Sequence, residues 1–349
     1  MFIYSFNRTV RLIGLILVSI LFSLPVAAGE NGGSRIITDM AGRSVTINGP
    51  VNRLVTTYKP ATLCVFCLGL QDRLVGIDTD SRNDRLHLAI YPAVADVTAV
   101  GKKSAGLNLE TILSLKPDLV VLYAQKDGRE LADRLQQLGI AAIIIVPETF
   151  DSIKQALQLI SRAVGVNEKV APAADRMDAV LALVRERLAD PEIKKKKSAY
   201  YASPRGLFST TSGDMLQDEI LTAAGLVNVS HDLAGYFQDV SPEQLMRWNP
   251  DMIILSQSLD DGAIGRLNDP VFQGVAAVTE KNVYRFPSTL SPWDFPSPLS
   301  VLGTLWLAAK AYPDHFEQND VMTVVDRFHR DLFGRSLSDM NGQLADRLY

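Results

Sequence analysis

The chain has 349 residues, of which 47% are hydrophobic, so it is long enough to bury one large core or two ordinary ones. It carries 35 Lys and Arg against 39 Asp and Glu, a formal net charge of −4. A mildly acidic balance of this kind keeps a protein soluble and argues against a nucleic-acid partner.

The first 28 residues predict a cleaved secretion signal. Arg8 and Arg11 are the only charges before an apolar run at 12–24 that is too short to span a bilayer comfortably, and small residues follow it. A retained membrane anchor is the alternative. Cleavage after Ala28 would leave 33 basic and 39 acidic side chains, a net charge of −6. The first cysteine, Cys64, is too distant to carry a lipid, so we expect the mature chain to be free in a periplasm.

The first half of the mature chain alternates apolar strands with helical patterns. Between the last two strands, leucines at helical spacing predict a helix from Gly128 to Leu138. Strands that are apolar throughout and separated by helices indicate a parallel sheet covered on both faces. We therefore predict a doubly wound α/β lobe over residues 29–165. Its clearest strands are Arg53–Thr57, Arg73–Asp78, Asp118–Tyr123 and Ala141–Val146.

A long helix, from Asn167 to Asp190, is predicted next, and Pro191 ends it. The basic run Lys194–Lys197 follows, and we interpret it as a solvated turn rather than a binding patch. The alternation of strands and helices then resumes. This order predicts a linking helix within 166–192 and a second α/β lobe with terminal helices over 193–349. The strands of the second lobe are expected at Ser198–Ala202, Asp251–Ser256 and Val283–Phe286.

Two passages, one in each half, repeat the same pattern. Asn108–Val121 and Ser241–Ile254 each predict a capped helix with an acid in its first turn, a turn containing proline and a buried strand. The pattern indicates an internal repeat on the scale of a lobe.

At these residues, and at Asp39–Thr46 and Leu68–Ile77, the chain resembles the substrate-binding proteins of iron-siderophore and cobalamin ABC importers. The resemblance covers essentially the whole mature chain. It implies two α/β lobes with mainly parallel sheets joined by one rigid helix. It also implies a non-enzymatic carrier that captures a ligand in the periplasm and delivers it to a permease dimer of the inner membrane, without a cofactor.

The resemblance further implies that one glutamate on each lobe docks into arginine pockets of the permease. Glu110 and Glu243 stand at the matching positions. A carboxylate in the first turn of a helix is exposed, rigidly mounted and able to accept a bidentate arginine. The alternative is that each glutamate only stabilises the start of its own helix.

The ligand is expected where the carboxyl ends of the strands of both lobes face one cleft. The residues that follow the strands mix cations with aromatics, which suits an anionic and partly aromatic ligand such as a ferric siderophore. Arg205 and Trp293 are the strongest individual candidates. The full set is Tyr58, Lys59, Lys102, Lys103, Tyr123 and Gln125 in the first lobe, and Ser203, Arg205, Phe208, His231, Ser256, Gln257, Trp293 and Asp294 in the second.

The ligand itself stays open between several classes. Three prolines make the segment Ser291–Pro298 stiff, and a helix is predicted after it, from Leu299 to Tyr312. The sequence of this segment departs from the patterns of cobalamin and hydroxamate binders. Molybdate or tungstate is the next candidate because lysines and backbone amides hold oxyanions well. Cobalamin, haem and nickel or cobalt chelates follow.

Histidines and cysteines favour neither a metal cage nor an enzyme. None of the four histidines stands at a metal-ligand spacing, although His231 with a cleft tyrosine would be the first choice for a bare metal. Cys64 and Cys67 have the spacing of a thiol-disulfide oxidoreductase. They lie inside an apolar helix predicted over Ala61–Leu70, which favours a structural role over an exported redox enzyme. We expect a monomeric binding protein.

Overall fold

Two parallel β-sheets organise the chain, one in each half. The computed structural model describes residues 33–102, 106–124, 128–193 and 195–345. The predicted secretion signal, Lys103 and Gln125 lie outside these residues. Within the described ranges, no helix combines the length and the apolarity needed to cross a membrane.

The first half forms a five-stranded sheet in the order β5-β4-β3-β8-β9, with every neighbouring pair parallel. All residues of β8 and β9 are buried, as continuous apolar strands between helices require. The predicted strands run one residue or so past the observed ends. The strands are β1 Arg35–Thr38, β2 Ser44–Ile47, β3 Leu54–Thr56, β4 Leu74–Ile77, β5 Thr98–Ala99, β6 Gly101–Lys102, β7 Gly106–Leu107, β8 Leu119–Tyr123 and β9 Ala142–Ile145. The helices are α1 Lys59–Cys67, α2 Thr79–Arg82, α3 Arg85–Ile90, α4 Leu109–Ser114, α5 Gly128–Gln137 and α6 Phe150–Val164.

The second half forms a four-stranded parallel sheet in the order β12-β10-β14-β15. With the first sheet and the long helix between them, it confirms the predicted fold class. The strands are β10 Ser198–Ala202, β11 Ser209–Thr210, β12 Val227–Asn228, β13 Gln238–Asp239, β14 Met252–Leu255 and β15 Val283–Arg285. The helices are α7 Val170–Leu188, α8 Leu216–Ala223, α9 Pro242–Trp248, α10 Asp261–Gly265, α11 Ala276–Thr279, α12 Ser300–Ala311 and α13 Gln318–Phe333.

Helix α7 connects the halves, and it is shorter than predicted because residues 167–169 form a separate 3₁₀ turn. Ala173, Met177, Val180 and Val184 recur at helical spacing and form its buried face, which packs against α12 and α13. Those residues belong to one hydrophobic cluster that also contains side chains of both lobes. The connecting helix is therefore part of a shared core rather than a free rod.

The internal repeat predicted from sequence is present in the backbone. In each passage, the residue before the proline has a left-handed backbone conformation: Lys116 has φ 45° and Asn249 has φ 43°. The aspartate after each proline then accepts backbone N–H groups of the neighbouring strand: Asp118 from Arg53 at 2.8 Å, and Asp251 from Ser198 at 2.7 Å. The same hydrogen-bonded arrangement therefore connects the start of β8 to that of β3, and the start of β14 to that of β10.

Cys64 lies inside α1 and Cys67 is its last residue, so the helix ends earlier than predicted. Both thiols are free and buried. Burial raises the pKa of Cys64 to about 12 and also raises the pKa of Cys67. Since the thiolate is the reactive form, these cysteines behave as small apolar side chains at neutral pH.

We expect Met177→Ala to lower the free energy of unfolding by about 2–4 kcal/mol, because the fully buried Met177 would leave a cavity between α7 and the second-lobe helices. Both sheets should unfold in one denaturant transition, since they share that core. Glu186→Ala, an exposed change on the same helix, is the control and should stay within about 0.5 kcal/mol. Two separate transitions would show that the lobes unfold independently.

Candidate functional site

The carboxyl edges of the two sheets meet across a cleft. Tyr58 follows β3 in the first lobe, and Phe295 lies in the loop after β15 in the second, with their ring centroids 5.8 Å apart. A separate contact between the lobes is made by Phe150 at the start of α6, which donates its backbone N–H to Glu219 of α8 at 2.6 Å. The contact between Tyr58 and Phe295 joins strand-end loops of both lobes, which is the arrangement expected of a ligand cleft between parallel sheets.

Two tyrosines form the aromatic wall of the first lobe. Tyr58 caps α1, and Tyr123 is the last residue of β8; because β3 and β8 are neighbours in the sheet, the two side chains come together. Their rings stack at 4.7 Å. Burial, with smaller effects of Glu148 and Asp78, raises the pKa of Tyr58, so its phenol is neutral at physiological pH. Tyr123 is buried behind the stack and Tyr58 is partly exposed, so Tyr58 is the member of the pair that can reach a ligand.

Two of the three predicted cations of the first lobe lie in the described residues, and both are paired with acids. Lys59 Nζ lies 2.9 Å from Asp84 Oδ2, and 5.9 Å from the centre of the Phe295 ring. Lys102 Nζ lies 2.9 Å from Asp80 Oδ1. The positive charge of this side of the cleft is therefore offset by carboxylates that come from the loop after β4 and from α2 and α3.

Arg205 of the second lobe is likewise engaged by the protein. Its Nη1 donates to the backbone oxygen of Phe237 at 2.9 Å, and its Nη2 lies 3.5 Å from Asp239 Oδ2. Half of the side chain stays exposed, so these contacts hold the guanidinium at the surface without burying it.

Two predicted contact residues of the second lobe are buried, and a third is partly buried. Trp293 is fully buried, and its backbone and Cβ pack against Gly303 of α12. Asp294 is also buried; its Oδ2 accepts from the hydroxyl of Tyr201 at 2.8 Å, and burial raises its pKa. Phe208 is partly buried, and its ring centroid lies 5.8 Å from that of Phe272. The burial of Trp293 and Asp294 means that their side chains pack inside the second lobe in this structure.

Two aromatic side chains of the second lobe that the sequence analysis missed are the partly exposed Phe295 and the exposed Tyr236. In the proline-rich loop it is Phe295, two residues after Trp293, that reaches Tyr58. Tyr236, in the loop after β12, is 51% exposed. The sequence indicated that the proline-rich loop carries aromatic residues. It could not indicate which of them faces the cleft, because an irregular loop has no periodicity that fixes the direction of its side chains.

His231 lies in the same loop after β12, and its ring is oriented by a carboxylate. Its Nδ1 is 3.1 Å from both oxygens of Asp218, while 63% of the side chain is exposed. Asn228 donates to Asp218 at 2.8 Å and fixes the carboxylate in turn. The hydrogen bond and the charge of Asp218 raise the pKa of His231. Nδ1 therefore carries a proton towards Asp218, and Nε2 is the nitrogen left for a ligand.

Glu110 and Glu243 occupy equivalent exposed positions in the first turns of α4 and α9. The N-caps are other residues: Asn108 accepts from the N–H of Thr111, and Ser241 from that of Gln244. The caps are therefore not the glutamates themselves, although hydrogen bonds from its own backbone N–H and from the Ser241 hydroxyl lower the pKa of Glu243.

Comparison with known proteins supports this architecture. The model of a family described as periplasmic binding protein matches residues 54–290. The molybdate-binding protein MolA of Haemophilus influenzae is 25% identical over 357 aligned residues, covering 95% of this chain and 99% of the relative. A vitamin B12-binding protein of Yersinia pestis is 28% identical over 204 residues, covering 58% of this chain and 69% of the relative.

Solved structures share the fold. MolA bound to molybdate aligns with a TM-score of 0.75 at 24% identity, covering 86% of this chain and 98% of that one. A Helicobacter pylori CeuE structure, described as a nickel–histidine complex, also aligns at 0.75, with 22% identity over 88% of this chain and 98% of that one. The chain belongs to the periplasmic binding protein family, and it is the substrate-binding component of an ABC transporter rather than an enzyme.

Proposed function

We propose that this protein carries a metal chelate of the ferric siderophore type, and that His231 completes the coordination of the bound metal. The observation that supports the proposal is the pair formed by His231 and Asp218. A histidine that donates one ring N–H to a buried carboxylate has its other nitrogen oriented and made more basic, as in histidines that bind metals. The unprotonated Nε2 would then coordinate a metal ion whose chelator leaves one coordination position unoccupied.

The rest of the cleft suits the organic part of such a chelate. Tyr58, supported by the buried Tyr123 stacked against it, and Phe295 would contact an aromatic or apolar scaffold. Lys59 and Arg205 would exchange their present carboxylate partners for the anionic groups of the ligand. This exchange would cost little at Arg205, since surface ion pairs are worth about 0–1 kcal/mol.

A second candidate is an oxyanion such as molybdate. It is favoured by the similarity to MolA, which extends over 95% of this chain. An oxyanion needs donors rather than a lone pair, so it would require His231 in its protonated form. The two candidates therefore predict opposite effects of pH at the same residue.

Affinity measured between pH 5.5 and 8.5 separates the two candidates. Suitable probes are molybdate and the ferric complex of a tetradentate bis-catecholate, which leaves two octahedral positions open. If His231 binds the metal, affinity for the iron complex falls as pH drops through its raised pKa, because protonation removes the lone pair. If an oxyanion is the ligand, molybdate affinity rises over the same interval.

His231→Ala is the matched control, because it removes only the part of the pH dependence that belongs to this side chain. We expect it to weaken the iron complex at pH 8 by roughly tenfold or more, the usual scale for a metal site that loses one of its supporting groups. Unchanged affinity for both probes would remove His231 from the site. Calorimetric titration is the measurement.

Asp218→Asn should lower the pKa of His231 towards its ordinary value of 6.5, since the hydrogen bond and charge of Asp218 are what raise it. An NMR titration of the imidazole protons measures this shift directly. His329 is the internal reference: it is buried with a pKa lowered to about 4, and its signals should not change. An unchanged His231 titration would mean that the pair does not form in solution.

We also propose that Glu110 and Glu243 dock the carrier onto its permease, one from each lobe. Glu110→Ala and Glu243→Ala should leave ligand affinity intact and impair uptake. The double variant should lose more than the single ones, because the second contact is intramolecular once the first is made. Charge reversal to lysine should be worse than alanine.

The control for docking is Glu130→Ala, which removes another exposed first-turn acid, from α5. Each substitution should cost at most about 1 kcal/mol of stability. The measurement is ligand uptake into cells or proteoliposomes at limiting carrier concentration. Normal uptake with the double alanine variant would leave the two glutamates with no role beyond their helices.

A further inference from the structure

A groove of about 570 Å³ lies beside the C-terminal half of α7, apart from the cleft residues discussed above. Its volume is in the range of small-molecule sites. Its wall is mostly apolar and includes Leu181, Leu188, Ile193 and Ala223, together with Phe150 from the first lobe. The first four are only partly buried and pack against the shared core, so the groove is an uncovered extension of that core.

Two cations stand among these apolar residues. Arg185 lies on the same face of α7 as Leu181 and Leu188, four residues after one and three before the other. Lys196, from the connection to β10, lines the groove as well. Both residues are exposed, and neither makes an ion pair with any residue in the described ranges.

The other arginines near Arg185 behave differently. Arg176 binds Asp331 at 2.8 Å, and Arg187 binds Asp320 at 2.9 Å, so both pin α7 to α13. Arg185 has no such structural task within the described residues. A cation left unpaired beside half-buried leucines is the arrangement that receives an anionic head group with an apolar tail.

One acid, Glu219, also lines the groove, and its position bears on the charge that the groove accepts. Its carboxylate is engaged by the backbone N–H of Phe150 at 2.6 Å. Burial also raises its pKa, which disfavours its charged form. Arg185 and Lys196 are the exposed charges among the residues that line the groove.

We propose that this groove is a second ligand site, which binds a single-chain amphipathic carboxylate. The head group pairs with Arg185 and Lys196, and the tail covers Leu181, Leu188 and Ile193. The site is independent of the metal-chelate cleft, and a ligand in it contacts the first-lobe Phe150 as well as α7 and α8.

Decanoate below its micellar concentration is the probe, with decanol as the neutral analogue of equal chain length. We expect saturable decanoate binding by calorimetry, with amide NMR shifts at Ala189 and Ala223. The double variant Arg185→Gln with Lys196→Gln should weaken decanoate roughly three- to tenfold, as expected for two exposed charge contacts, and should leave decanol unaffected. Ala223→Trp, which fills the groove without altering charge, should abolish both.

His231→Ala, which alters only the cleft, is the control and should bind decanoate like the unchanged protein. Absence of saturable binding would overturn the proposal. So would equal decanoate affinity in the double glutamine variant, or binding that Ala223→Trp leaves intact.

Discussion

The burial of one face of α7 is the constraint on which the rest of the structure depends. Met177 and Val184 are inserted into a core that contains side chains of both lobes, so the helix cannot tilt without opening cavities in each. Contacts between the lobes reinforce it: Glu219 accepts from Phe150, and Arg335 donates to the backbone oxygen of Ala89 at 2.7 Å. The carboxyl edges of the two sheets are consequently held at a preset separation. Recognition must then come from side chains at these edges rather than from hinge closure.

The charges of the cleft follow from this fixed frame. A preset cleft that carried unpaired cations would repel itself in the empty state, and the protein avoids this by pairing Lys59 with Asp84 and Arg205 with Asp239. The anionic ligand proposed above would have to compete with these carboxylates, which would lower its affinity but also disfavour ligands that match the cleft in charge and not in shape. The rings of Tyr58 and Tyr123 stack on each other, and Phe295 approaches Tyr58 from the second lobe. For the proposed metal chelate, aromatic contact and coordination by His231 would therefore be the interactions that favour one anion over another.

The sequence was sufficient for the fold because the strands are buried on both faces and therefore appear as continuous apolar runs, as in β8 and β9. It was sufficient for the order of the cleft residues too, since Tyr58 and Tyr123 follow adjacent strands. It could not provide the direction of side chains in irregular segments, which is why Trp293 is buried and Phe295 faces Tyr58. Nor could the sequence predict the ion pairs, because Asp84 and Asp218 lie in different elements from their partners, Lys59 and His231. Pairing of this kind is a tertiary property.

The internal repeat connects the rigidity of the fold to its role in transport. Each lobe uses a left-handed residue, a proline and a strand-tying aspartate to orient the helix that carries an exposed glutamate, Glu110 or Glu243. Equivalent local structure gives the two carboxylates equivalent presentation, and the buried α7 keeps the distance between them constant. The docking proposed for Glu110 and Glu243 requires both carboxylates to engage one permease together, which a constant distance between them would favour. The shared core provides that constant distance, so it fits the proposed two-point interface as well as a preset ligand cleft.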